Sequence, residues 1–226
     1  MFHVKHKNEI QKFLTEGLKS LNIDLTESVL DKIVYYFIML LDKNIHINLI
    51  SQKQDLKTKV GVHLLDSLSS LMWNELPRQA RSLDFGSGGG LPAIPLSIVQ
   101  TGWNYDLVES TGKKISFLTE VKAELKLENV NLINKYLNPN INDENIFYDL
   151  ITARAVSSLD KLITIVGPRL NQNGIFIAYK GPQAESELSQ AKKELKKWSM
   201  DIIKYSEFKL PLIEANRTLL FFKKNN

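Results

Sequence analysis

The stretch Asp84-Phe85-Gly86-Ser87-Gly88-Gly89-Gly90-Leu91-Pro92 decides how the rest of the chain reads. It joins an apolar run ending at Phe85 to an amphipathic run that begins at Pro92. Glycines at such a junction let the backbone turn tightly with positive φ and let a ligand approach where a Cβ would obstruct it. Pro92 suits the first turn of a helix, where no amide hydrogen is missed. A bare G-x-G-x-x-G also fits an ordinary flexible turn, so the surrounding residues must decide.

Working outward, short apolar runs alternate with longer amphipathic ones from Arg81 onward, the pattern of a parallel sheet covered by helices on both faces. Strands are expected at Ser82 to Phe85, Tyr105 to Glu109, Val130 to Ile133, Leu150 to Ala153, Ile175 to Tyr179, Ile202 to Phe208 and Thr218 to Phe222. Helices are expected between them at Pro92 to Gln100, Lys113 to Leu125, Leu159 to Leu170 and Ala184 to Lys197. Upstream the period is helical: Ile10, Phe13, Leu14, Leu18 and Leu21 mark one helix, and Val29, Ile33, Tyr36, Phe37 and Leu40 a second that starts near Thr26. A third should cover Val60 to Trp73. The fold class is therefore α/β, a mainly parallel seven-stranded Rossmann-like sheet. Residues 1–75 form a helical extension packed on it, and residues 76–226 the ligand-binding domain.

Composition removes several chemistries. There is no cysteine, which excludes disulfides, thiolate metal sites and a cysteine nucleophile. The four histidines lack H-E-x-x-H spacing, and no metal is expected. No apolar run reaches the roughly 20 residues that cross a bilayer, so a cytoplasmic protein without membrane attachment is expected. The net charge of +4 is uneven: residues 1–75 hold nine basic and nine acidic groups, and the remaining twenty basic and sixteen acidic groups follow. A polyanionic partner and a solvated lysine-rich surface fit that half equally well.

Three details bear on the ligand of the glycine stretch, and the first two favour S-adenosylmethionine (SAM). The third glycine of a dinucleotide fingerprint would fall at Leu91, and the spacing Asp-x-Gly-x-Gly-x-Gly resembles motif I of SAM-dependent methyltransferases. Asp84 would repel a pyrophosphate but complement the positive end of SAM's amino acid moiety. Glu109, ending the next strand, would accept from ribose hydroxyls of either SAM or NAD. As for the methyl acceptor, the Asp/Asn-Pro-Pro-aromatic turn of amino-group methyltransferases is replaced by Thr152-Ala153-Arg154-Ala155-Val156, and carbon-5 pyrimidine chemistry lacks its cysteine. A purine ring nitrogen with a free lone pair needs no general base. An NAD-dependent oxidoreductase and a non-catalytic RNA-binding module are the rival readings.

The chain resembles the RsmG (GidB) family, enzymes that methylate nitrogen 7 of a guanine in small-subunit ribosomal RNA. Ile47-Asn48-Leu49-Ile50-Ser51, His63-Leu64-Leu65-Asp66-Ser67-Leu68, Leu83 to Leu96, Val108 to Lys114, Ala153-Arg154-Ala155 and Tyr179-Lys180-Gly181 carry the resemblance. It implies that Gly86 and Leu91 line the SAM pocket, with Gly88 in the same turn. It also implies that Leu137 and Asn138 meet the adenine and that Arg154 closes the site. Departures are Asn138 for an acidic residue, Lys43 for a tryptophan before Asn44, and Ile50 for a threonine. The implied partner is the RNA of the small subunit (16S rRNA); separately, a monomer with no protein partner is expected.

Arg154 and Lys180 are expected at the carboxyl ends of neighbouring strands, as positioning residues or as a surface ion pair. No catalytic acid or base is assigned. His63 and Asp66, one helical turn apart, read as a local hydrogen bond rather than a catalytic pair. Lys192, Lys193, Lys196 and Lys197 form a basic stripe that would follow phosphates or simply face solvent.

Overall fold

A computed structural model describes residues 2–136 and 146–225. Helix α1 (Phe2–Ser20) and α2 (Glu27–Asn44) precede a composite helical rod: α3 (Leu56–Lys59), a π-helical stretch (Val60–Leu65), α4 (Asp66–Leu68) and a 3-10 turn (Ser69–Met72). The strands are β1 (Ala80–Phe85), β2 (Trp103–Glu109), β3 (Val130–Asn134), β4 (Tyr148–Arg154), β5 (Leu170–Lys180), β6 (Met200–Leu210) and β7 (Ala215–Lys224). Between them run α5 (Ala93–Val99), α6 (Gly112–Leu125), α7 (Leu159–Val166) and α8 (Ala184–Lys197).

The seven strands form one sheet in the order β3-β2-β1-β4-β5-β7-β6. Strands β1 to β5 pair in parallel, and β7 is antiparallel to both β5 and β6. The chain steps from β1 to β2 to β3 in one direction and then crosses to β4 on the other side of β1. That crossing is the switch point at whose carboxyl edge open α/β sheets bind ligands.

Strand side chains alternate between the two faces. Leu219 and Phe221 enter an apolar cluster with Leu107, Leu150 and Ile177, which also takes up Ile10 and Leu14 of α1, Tyr36 and Leu40 of α2, and Phe117 of α6. Leu220 and Phe222 enter a second cluster on the opposite face, built with Leu162 of α7 and Ala191 of α8.

Several strands run longer than expected, β5 by five residues at its start, and three of the expected helices differ. The helix drawn over Leu159 to Leu170 stops at Val166, a 3-10 turn follows at Gly167–Arg169, and Leu170 already belongs to β5. Pro168 lacks the amide that would continue the helix, and the Trp198 ring fills the space a side chain at Gly167 would need. Helix α5 starts at Ala93, with Pro92 just before it in the capping position. The helix expected from Val60 to Trp73 is interrupted by six residues of π-helix, which widen the turn that carries His63.

Candidate functional site

The glycine turn leaves the end of β1 at the switch point. Gly86, Gly88 and Gly90 have φ of 72°, 57° and 93°, conformations that side chains disfavour. The amides of Gly86 and Ser87 both donate to the Val108 carbonyl, which fastens the turn to β2. Glu109 ties it further: its carboxylate accepts from the amide of Gly88 at 2.9 Å and from that of Thr111 at 2.8 Å. Those bonds hold the Glu109 carboxyl below its usual range, against the opposing effect of partial burial. From below, the Tyr36 hydroxyl donates to the Gly89 carbonyl at 2.8 Å. The Asn44 side chain accepts from the amides of Leu49 and Ile50, folding the segment that lies over Gly89. The Ile47 to Ser51 motif thus supports the turn by packing.

Asp84 is 1% exposed, and its Oδ1 accepts from the Thr152 hydroxyl at 2.6 Å across the β1–β4 register. Its Oδ2 is buried without a hydrogen-bond partner. Burial pushes its carboxyl up to about 6, against the hydrogen bond of Thr152 and the charge of Arg154; the Ser87 hydroxyl donates to the Asp84 backbone carbonyl. Leu91, also expected at the ligand, has its side chain taken up in the apolar core. Leu137 and Asn138 lie outside the described residues.

A second group of side chains gathers at the ends of β4 and β5. Arg154 donates to the Val62 carbonyl at 2.7 Å, inside the π-helical stretch, and pairs with Asp66 at 3.1 Å. The other Asp66 oxygen faces Arg217 of β7 at 3.3 Å. Lys180, 8% exposed, donates to the Ser157 carbonyl and pairs with Glu187 at 2.7 Å. Arg154 and Lys180 therefore sit at the expected sheet edge, each in a separate, mostly buried ion pair. The local bond expected between His63 and Asp66 is absent: both ring nitrogens of His63 are buried without a partner. The wide π-turn and the two arginines draw Asp66 away from the ring. Arg217 carries no sequence motif and was not anticipated.

These residues line a cavity of about 360 Å³, to which Val62, His63, Asp66, Arg154, Lys180 and Arg217 all contribute. The turn Ala155-Val156-Ser157 divides it from the glycine stretch. Ala155 and Ser157 line the cavity, while Val156 packs on Gly86 so closely that a Cβ there would lie 2.8 Å from it.

The two buried groups titrate in opposite senses. Burial, then the charges of Arg154, Lys59 and Arg217, push His63 down from 6.5 to about 3. The unfolded chain therefore binds the extra His63 proton between about pH 3 and 6.5, and this group makes stability rise with pH there. Asp84, raised from 3.8, keeps its proton longer when folded, so its contribution falls as pH rises from about 4 to 6. The two slopes oppose one another. Replacing His63 with Phe removes the first, so the variant's stability relative to the parent should fall with rising pH, by up to about 1.4 kcal/mol per pH unit. Urea titrations at pH 4 to 6.5 check this; a pH-independent difference would contradict the placement of His63.

A family model described as GidB, rRNA small subunit methyltransferase G, matches residues 29–219. The chain belongs to this family. Among its relatives, "Ribosomal RNA small subunit methyltransferase G" of Alkaliphilus oremlandii is 34% identical over 220 residues, covering 96% of this chain and 91% of that protein. The protein of the same name from Lactobacillus helveticus is 33% identical over 221 residues, covering 95% and 90%. In fold, the chain is similar to a crystal structure of a methyltransferase from Pyrococcus furiosus, with a TM-score of 0.57, 17% identity, and coverage of 86% of this chain and 97% of that one. The family match begins within α2 and ends within β7, so it spans the glycine turn, Arg154, Lys180 and Arg217 together.

Proposed function

We propose that this chain is a SAM-dependent methyltransferase that modifies ring nitrogen 7 of a guanine in small-subunit ribosomal RNA. It acts in the cytoplasm as a monomer, with residues 1–75 as a helical extension and residues 76–226 as the catalytic domain. One observation carries the reading: an open glycine turn at the sheet's switch point stands beside a cavity to which Asp66, Arg154, Lys180 and Arg217 contribute, with a single three-residue turn between them. Relatives named for ribosomal RNA methylation, alike over nearly their whole length, support it.

The residues present suit SAM. A Cβ added at Gly88 would meet nothing nearer than its own loop at 3.9 Å, which leaves room over the turn. The unpartnered Asp84 oxygen beneath it is a buried acceptor suited to a positively charged ligand. Glu109 stands at the end of β2, where ribose hydroxyls are held in this sheet class. When bound, SAM would supply a sulfonium methyl group open to in-line attack by a nucleophilic nitrogen, with neutral S-adenosylhomocysteine as the leaving group. Guanine nitrogen 7 already carries its lone pair, so the chain's residues need only align the base, shelter it from water and balance charge. Arg154, fixed by Val62 and Asp66, and Lys180, fixed by Ser157 and Glu187, are held rigid for that task. The exposed lysines of α8 supply positive charge for RNA phosphates.

Incubation with methyl-labelled SAM and small ribosomal subunits tests the proposal. Label is expected in a guanine of the RNA, at nitrogen 7. RNA binding without transfer, or binding of NAD in place of SAM, would overturn it.

A further inference from the structure

Among the buried groups, His63 stands out. It is 9% exposed, lines the cavity beside the ends of β4 and β5, and leaves both ring nitrogens without a partner. Buried polar groups left unpaired are costly and uncommon, so such a group at a cavity wall points to a ligand that completes it. Several other polar groups of the cavity have partners in place: Asp66 holds two arginines, Arg154 meets Val62 and Asp66, and Lys180 meets Ser157 and Glu187.

The reaction itself states what is missing. On the edge that carries nitrogen 7, guanine presents the acceptor O6, whereas adenine presents an amino group. A protein that directs a methyl group to nitrogen 7 of guanine alone therefore needs a donor facing O6. A neutral imidazole has one N–H to give. Burial and the nearby cations Arg154, Lys59 and Arg217 keep His63 neutral. The π-helical stretch places that ring on the cavity wall, and Val156 separates it from the glycine turn by one turn of chain. At about 360 Å³ the cavity falls within the range of roughly 300 to 1,000 Å³ typical of small-molecule sites.

We propose that this cavity receives the acceptor guanine and that His63 donates a hydrogen bond to its O6, selecting guanine over adenine. This rests on the function proposed above and adds the residue that reads the base. His63 takes no proton in the reaction. It positions and discriminates.

The test titrates the full chain, saturated with S-adenosylhomocysteine, with guanosine monophosphate and with 2-aminopurine riboside monophosphate, which keeps nitrogen 7 but lacks O6. Guanosine monophosphate should move the imidazole ¹⁵N resonances of His63 and bind about tenfold more tightly than the analogue, the difference one hydrogen bond makes. In His63→Phe the two nucleotides should bind alike. Unmoved imidazole resonances at millimolar nucleotide overturn the proposal, as does a preference that survives in His63→Phe. Should that variant fail to fold, the resonances of the parent chain decide by themselves. Failure of the wider function would look different: no methyl transfer to RNA from a chain whose His63 still answers to the nucleotide.

Discussion

Replacing Gly86 with Val is expected to weaken SAM binding by about 100-fold or more, the equivalent of nearly 3 kcal/mol in affinity, measured by calorimetric titration. The backbone at this position has φ of 72°, and a Cβ there would meet Val156 at 2.8 Å. A β-branched residue is strained in that conformation whatever its surroundings. Relief must come by pushing Val156 aside or by changing the course of the turn, and either deforms the partition between the two halves of the site. Gly88→Ala sharpens the test, because a methyl group there meets no other part of the chain closely. Its cost to folding should be only the left-handed penalty, about 1 kcal/mol. A large loss of SAM affinity would then report the ligand's presence in that space. Retention of tight binding in both variants would place the cofactor elsewhere.

The second large effect is expected at Asp66. Its side chain is 8% exposed and holds Arg154 at 3.1 Å and Arg217 at 3.3 Å. Asp66→Ala leaves two guanidinium groups facing one another around a lost counter-charge. Removing one member of a buried ion pair costs about 3 to 5 kcal/mol. Arg217 is partly exposed, and water screens its share, so the lower end of that range applies. Urea unfolding should show the loss, and methyl transfer should fall with it as Arg154 loses its anchor. A change below about 1 kcal/mol would mean that the triad stands in solvent.

The inner strands were legible because they are apolar runs bounded by turn residues, the pattern that burial on both faces demands, whereas the edge strand β6 is largely exposed or half-buried. The glycine stretch was legible for the same reason: positive φ at Gly86, Gly88 and Gly90 restricts the residue type locally. The remaining features depend on distant partners. Nothing near Arg217 shows that its side chain will meet Asp66, and Tyr36 reads as a core aromatic until its hydroxyl is found on the Gly89 carbonyl. The spacing of His63 and Asp66 suggested a local bond, but a π-turn changes which side chains align and long-range cations claimed the carboxylate. Residue type reported the backbone well and the ion pairs poorly, because charge pairing is set by the fold.

The shared carboxylate also fixes the order in which this machinery becomes complete. Asp66 precedes the whole sheet and Arg217 belongs to its last strand, so synthesis must run almost to completion before the two can meet. Until the last strand is in place, Asp66 has its Arg154 partner but not its Arg217 partner, so the triad is finished only as the sheet is.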